Sequence, residues 1–352
     1  MGINSLSQSL LSPFMEGLVG TRNWLYDQKI ITPVQLSIPV ISVGNITMGG
    51  TGKTPFIQWL LKELFDLGFH PGVVSRNYGA KNAQEGLVTF NSQAASHFGD
   101  EPVLLKMNFP HIPIYAGAKK WRSAKQLCEL DKSIDVLLVD DGFQHRSLAR
   151  DMDIVLLDTS VNKNDYAWPP LGRARESLSA MTRAQVIVFT KWEQRNPETV
   201  EYLEKSMDIH GKSNKGFDRV PLNKTLKLYS EQKLGALKCV KGSALSTIGE
   251  TQKGFAFCGL ARPKNFLFSL KALGLRIGEF KTFPDHFAYE PNSIKTVIEL
   301  AKNYDYAVTS EKDWVKLSDW PEEGPTLYVL PVSQNLLGDS GGFREMLSRL
   351  RR

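Results

Sequence analysis

Residues 47–54 read TMGGTGKT, between an apolar run at residues 38–45 (IPVISVGN) and a helical stretch, KTPFIQWLLKELFDLG. A glycine-rich turn ending in GKT is a Walker A signature only when a strand enters it and a helix leaves it. This one segment therefore predicts a βα unit with a phosphate-binding loop at the strand's carboxyl end. Gly49, Gly50 and Gly52 let amide groups curl around phosphate oxygens, with Thr47 and Thr51 completing the loop. Lys53 neutralises the β- and γ-phosphate charge, and the Thr54 hydroxyl at the helix start is placed to ligate magnesium. The usual pattern begins with glycine where this chain has Thr47. The expected ligands are ATP and Mg2+.

The rest of the chain repeats the same rhythm. HPGVVSR, DVLLVDD, DIVLLDT and AQVIVFTK alternate with helical stretches such as KKWRSAKQLCEL. Several of these runs are apolar on successive residues, as in strands covered on both faces. The pattern predicts an α/β fold: a P-loop NTPase-type, mostly parallel sheet with helices on both faces. Residues 207–253 turn polar and lysine-rich, which suggests a connecting region with a hairpin. After it GFAFCGL, RPKNFLFSLKALG, IGEFKTF, PNSIKTVIELAKN, YDYAVTS and TLYVLPV predict a second, smaller α/β domain. The expected division is an N-terminal helix at 1–30, a P-loop core at 31–225, and the smaller domain with its linker at 226–352.

Two acidic pairs stand at ends of these elements. Asp140 and Asp141 close the DVLLVDD run, where a Walker B carboxylate would stand beside Thr54 and hold the metal. A strand-terminal turn would use Asp-Gly for backbone reasons alone. Asp100 and Glu101 precede Pro102 and an apolar helical run, as an N-cap and first-turn acid would. A kinase also needs a carboxylate toward the attacking hydroxyl, and such a pair is well placed for it.

The 43 Lys and Arg against 37 acidic residues give a net charge of +6, which favours anionic partners without choosing among nucleotides, nucleic acid and acidic lipid. Cys128, Cys239 and Cys258 are far apart and suggest neither a disulfide framework nor a zinc site. No run of apolar residues is long enough to span a bilayer, and the N-terminus lacks a secretory pattern, so a cytosolic setting is expected. Ser12 and Pro13 read as an N-cap and first helical residue, followed by Phe14, Met15, Leu18, Val19, Leu25 and Tyr26 at near-helical spacing. That helix either packs on its own domain or lies in a membrane surface with Trp24 and Arg22 near the headgroups.

Taken together, VGNITMGGTGKTP, VVSRNYG, GDEPVLL, DDGFQHRSL, FCGLARPKNF, FPDHFAY and TSEKDWVKL resemble the tetraacyldisaccharide 4'-kinases, the lipid A kinases of bacteria with an outer membrane. The resemblance runs from about residue 43 to 317. It implies transfer of the ATP γ-phosphate to the 4'-hydroxyl of a tetraacyldisaccharide 1-phosphate, at the cytoplasmic face of the inner membrane, with no nucleic acid and no obligate protein partner. It also implies a catalytic pair, Asp100 as base and His286 orienting it or sharing the proton, joined by Lys53. Thr54, Glu101, Asp140 and Asp141 would surround the metal, while Arg76, Arg122, Arg175 and Glu176 would contact phosphate or substrate. On this reading His286 comes from the second domain to a site built by the first. RNYG stands where the family has RGYG, and LGRARES replaces a proline-containing version.

Competing readings remain. TKWE at residues 190–193 imitates the guanine-reading Asn-Lys-x-Asp without its Asn, as in a nucleotide-switch GTPase or a chaperone-like ATPase. A soluble small-molecule kinase would need no membrane helix. A nucleic-acid binder rests on charge alone.

Overall fold

The structure is a computed structural model that describes residues 3–91, 93–212, 224–245, 248, 251–317, 320–321 and 324–351. It divides into two compact units. Met1–Ser75, Lys119–Gln232 and Gln334–Arg352 form the first, Arg76–Ala118 and Lys233–Ser333 the second. This corrects the expected single cut at 225/226. Composition marks where the chain turns polar, but which residues pack together decides membership. Residues 76–118, which continue the α/β rhythm of the first unit, belong to the second, and the C-terminal residues return to the first.

Within the first unit the sheet runs in the order Val332–Leu337, Leu226–Leu234, Val186–Thr190, Met152–Asp158, Val40–Asn45, Val136–Asp140 and Pro71–Ser75. Neighbours among the six strands from Leu226–Leu234 to Pro71–Ser75 pair in parallel. Every residue of Val40–Asn45, Val136–Asp140, Met152–Asp158 and Val186–Thr190 is buried, as their unbroken apolar runs require. In register Val43 faces Asp140, so the strand that enters the glycine loop lies beside the strand that ends in the acidic pair. The helix Lys53–Asp66 leaves the loop and is covered by the C-terminal helix Gly341–Ser348. Trp59 stacks on Phe343 at 5.9 Å, and Arg344 Nε meets Glu63 Oε2 at 2.9 Å.

The second unit holds a five-stranded sheet ordered Ile277–Thr282, Gly254–Cys258, Tyr306–Ser310, Leu327–Leu330 and Lys238–Lys241, parallel except for the last. Phe257 stacks almost coplanar on Trp320 in its core. The expected hairpin in the linker is not formed by the described strands: Leu226–Leu234 pairs with Val186–Thr190, and Lys238–Lys241 with Leu327–Leu330. Residues 213–223 of that linker lie outside the described residues.

The N-terminal helix spans Ile3–Asp27 and contains Pro13, so Ser12 and Pro13 do not start it. Ser12 Oγ instead donates to the Pro169 carbonyl at 2.7 Å. No described side chain of this helix is buried, and Phe14, Leu18 and Trp24 are more than half exposed. It is fastened to the first unit by polar groups. Asn23 Nδ2 donates to Glu176 Oε2 (2.7 Å), Arg146 Nη1 donates to the Asn23 carbonyl (2.9 Å), and Arg146 Nη2 meets Asp27 Oδ1 (2.8 Å). No helix among the described residues is long and apolar enough to cross a membrane.

Candidate active site

In the first unit the loop is built as a cradle. Gly49 (φ 112°) and Gly52 (φ 84°) take left-handed conformations that side chains resist, and nothing lies within 4 Å of where a Cβ on Gly50 would stand. The buried Asn45 amide donates to Thr47 O and to Thr51 Oγ1, fixing the turn from inside. Thr47 has a reason to replace glycine. It forms an antiparallel bridge with Ala174, flanked by Met48 N to Arg173 O and Arg175 N to Ile46 O, each 2.7 Å. An extended, paired position suits a β-branched residue. The same bridge carries Arg175 to the loop.

There Asp141 receives two cations. Lys53 Nζ is 3.4 Å from its Oδ1, and Arg175 Nη1 donates to Oδ1 and Oδ2 at 3.0 and 2.8 Å. Burial opposes the Asp141 charge, but Lys53 and Arg175 outweigh it and hold the carboxyl well below the usual range. Asp140 is buried, and its Oδ2 accepts from Ser75 Oγ at 2.8 Å. Thr54 stands at the first turn of the helix that leaves the loop. The strand register and these anionic groups fit a magnesium ion held by Thr54 with Asp140 or Asp141. Glu101 belongs to the second unit, where it is bonded to Lys312 at 2.6 Å. Among the described residues no cluster of three His, Cys, Asp or Glu marks a metal site by itself.

In the second unit Asp100 opens the helix Asp100–Asn108, and its Oδ2 is 2.9 Å from His286 Nδ1. The two residues are 186 positions apart in sequence. They belong to one unit, so the expectation that the pair forms across two domains is corrected. Gly99 (φ 87°) permits the turn, since a Cβ there would stand 2.5 Å from the Tyr78 carbonyl. Tyr78 meets the His286 ring edge-on at 5.3 Å, and Gly79 leaves room for that ring. His286 is itself left-handed, with φ 58°.

Charges around the pair are closed on themselves. Lys316 Nζ lies 3.7 Å from Asp100 Oδ2 and 3.3 Å from Asp313 Oδ1. Asp313 is held in turn, accepting from Gly259 N and Ser310 Oγ. Burial pushes the Asp100 carboxyl up, but the His286 hydrogen bond and Lys312, His286 and Lys316 bring it down to about 2. The hydrogen bond to Asp100 raises the imidazole above its ordinary value, against the effect of burial. Lys312 is pushed down by burial and, more strongly, up by Glu101 and Asp100. Asp100 Oδ1 is buried and has no hydrogen-bond partner among the described residues.

Arg76 and Arg122 are exposed; Arg122 stands on the helix Lys120–Leu130 beside Lys119 and Lys125. Glu176 is buried and taken by Arg183 (2.9 Å) and Asn23, which makes it a fastening for the N-terminal helix. Sequence reasoning gave no role to Lys312 and Lys316. Their signal is present in TSEKDWVKL, where two lysines at i and i+4 flank an aspartate, a spacing that puts both on one helical face.

Known proteins resemble this chain along nearly its whole length. The family described as tetraacyldisaccharide-1-P 4'-kinase matches residues 7–352. The tetraacyldisaccharide 4'-kinase of Bdellovibrio bacteriovorus is 34% identical over 347 residues, covering 97% of this chain and 98% of that protein. The enzyme of the same name from Chlorobaculum tepidum is 35% identical over 312 residues, covering 87% and 84%. A crystal structure of "apo" form LpxK from Aquifex aeolicus in complex with ATP superposes with a TM-score of 0.74 at 26% identity, covering 98% of this chain and 99% of that one. With its family match spanning nearly the whole length, the chain belongs to the tetraacyldisaccharide-1-P 4'-kinase family.

Proposed function

We propose that this protein transfers the γ-phosphate of ATP to the 4'-hydroxyl of a tetraacyldisaccharide 1-phosphate in lipid A biosynthesis. The observation that carries the chemistry is Asp100: buried, kept ionised by His286 and the lysines around it, with Oδ2 engaged by His286 and Oδ1 without a hydrogen-bond partner among the described residues. Oδ1 accepts the proton of the acceptor hydroxyl while that oxygen bonds to phosphorus and the bond to the ADP oxygen breaks. His286, donating from Nδ1 to Oδ2, keeps the carboxylate aimed and stabilises the charge it holds beforehand. Lys53 and amides of the 49–54 loop other than that of Thr51, which donates to the Gly49 carbonyl, bind the triphosphate, and Arg175 adds a planar fork suited to phosphate oxygens. Thr54 with Asp140 or Asp141 would hold magnesium, which when bound would neutralise charge on the phosphates. Arg76 and Arg122, both exposed cations, are assigned to the acceptor's phosphate.

The same reading puts the protein at the cytoplasmic surface of the inner membrane. The N-terminal helix turns polar groups toward the first unit and leaves Phe14, Leu18 and Trp24 outward, the arrangement of a helix that enters the headgroup boundary. A γ-labelled ATP assay with Mg2+ and tetraacyldisaccharide 1-phosphate in mixed micelles tests the proposal. Label is expected in the 4'-phosphate. ATP turnover with no label in the lipid would remove the acceptor assignment.

A further inference from the structure

The TKWE segment has the place of a base-reading motif, yet its first two side chains are spent elsewhere. Thr190 Oγ1 lies 2.9 Å from the Thr51 carbonyl and 3.2 Å from that of Leu157. Lys191 Nζ donates to the Gly50 carbonyl and to Asp158 Oδ2, each at 2.7 Å. Both residues are buried. Asp158 is fixed too, since its Oδ1 accepts from Ser160 N (3.0 Å) and Ser160 Oγ (2.6 Å). Lys191 adopts φ 55°, a left-handed conformation that a non-glycine residue keeps only where its surroundings enforce it.

These bonds act on consecutive peptide groups of the phosphate loop. In a trans peptide the carbonyl and the next N–H point to opposite sides. Holding the carbonyls of Gly50 and Thr51 against the end of the strand Val186–Thr190 therefore turns the amides of Thr51 and Gly52 away from that strand. Thr51 N–H then meets the Gly49 carbonyl at 3.0 Å, which tightens the turn. The ammonium that would reach along a nucleoside serves the loop instead.

We infer that Thr190 and Lys191 are positioning residues: a two-point anchor, with Asp158 as counter-ion, that presets the loop at residues 49–53 for a triphosphate whatever its base. The inference rests on the reading of that loop as the triphosphate site. Its test is Lys191→Met and Thr190→Val, with ATP and GTP binding measured by calorimetry or competition and with steady-state kinetics on the lipid acceptor. Lys191→Met loses a charge-assisted bond and is expected to weaken ATP and GTP binding by the same factor, about 10-fold or more. Thr190→Val keeps the shape, loses one hydroxyl, and is expected to weaken both by about threefold to tenfold. KM for ATP should rise, while KM for the lipid and kcat at saturating ATP stay within about twofold. Triphosphate binding unchanged in folded Lys191→Met, or in Thr190→Val where Lys191→Met does not fold, overturns the anchor. A change in the ATP to GTP ratio overturns it in favour of base reading. Failure of the wild-type protein to bind ATP would strike the functional reading instead.

Discussion

Each unit sets a carboxylate among cations that hold it ionised, Asp141 partly exposed and Asp100 buried, and the two are held differently. Asp141 is held by Lys53 and Arg175, whose side chains are 12% and 32% exposed and which have the chemistry to grip phosphate. Asp100 is held by His286, Lys316 and Lys312, and both lysines are tied to further carboxylates, Asp313 and Glu101. Cations meant for an incoming polyanion must be able to leave their resting partner. A base must keep its orientation while its charge is drawn on, so its cations are tethered. On the proposed function the two sites would divide the work, with exchangeable charge in the first unit and fixed charge in the second.

The largest effects should separate the two. Asp100→Asn keeps the size and hydrogen bonding of the side chain but removes the proton acceptor, and kcat is expected to fall by about 10³-fold with ATP affinity unchanged. Lys53→Ala should instead weaken triphosphate binding as well as turnover. Nucleotide titration beside single-turnover transfer reads both. Loss of ATP affinity in Asp100→Asn would break the division.

A smaller effect follows from the charge state of the pair. Asp100 is lowered from 3.8 to about 2, so its contribution to stability is present above the unfolded value and is lost as pH falls through about 2. His286 is raised, so its contribution is full below the ordinary imidazole value and disappears as pH rises through the raised one. Both act together between about pH 4 and 6.5 and, for Asp100, amount to about 2 kcal/mol. Urea denaturation of wild type and Asp100→Asn at pH 3, 5.5 and 8.5 should show the widest gap at 5.5. A gap that does not change with pH would mean the pair is held by packing and not by charge.

How much of this the sequence could tell depends on whether the cause was local. Strand, loop and helix around residues 47–54 were legible because periodicity and turn chemistry act over a few residues. The acidic pair after residue 139 was legible for the same reason. The Asp100–His286 pair was named only through resemblance, because residues 186 positions apart leave no spacing to read. Its placement in one unit was missed, since residues 76–118 carry the same α/β rhythm wherever they pack. The left-handed backbones of Asp141, Lys191 and His286 are likewise set by neighbours distant in sequence.

The smallest effect concerns a third carboxylate, Glu176, which extends the comparison to a place where charge only fastens. Arg183 neutralises it, and the Asn23 amide caps its Oε2 at 2.7 Å, joining the N-terminal helix to the first unit. Asn23→Ala removes that bond but leaves the backbone carbonyl that Arg146 uses, so the expected loss is about 1 kcal/mol, a fall in Tm of a few degrees. Vesicle binding should persist, because the outward residues Phe14, Leu18 and Trp24 are untouched. Phe14→Ser with Trp24→Ser should do the reverse, loosening vesicle binding while Tm holds. If Asn23→Ala spared Tm and lowered kcat, Glu176 would belong with the exchangeable charges at the phosphate site, and the fastening role would fall.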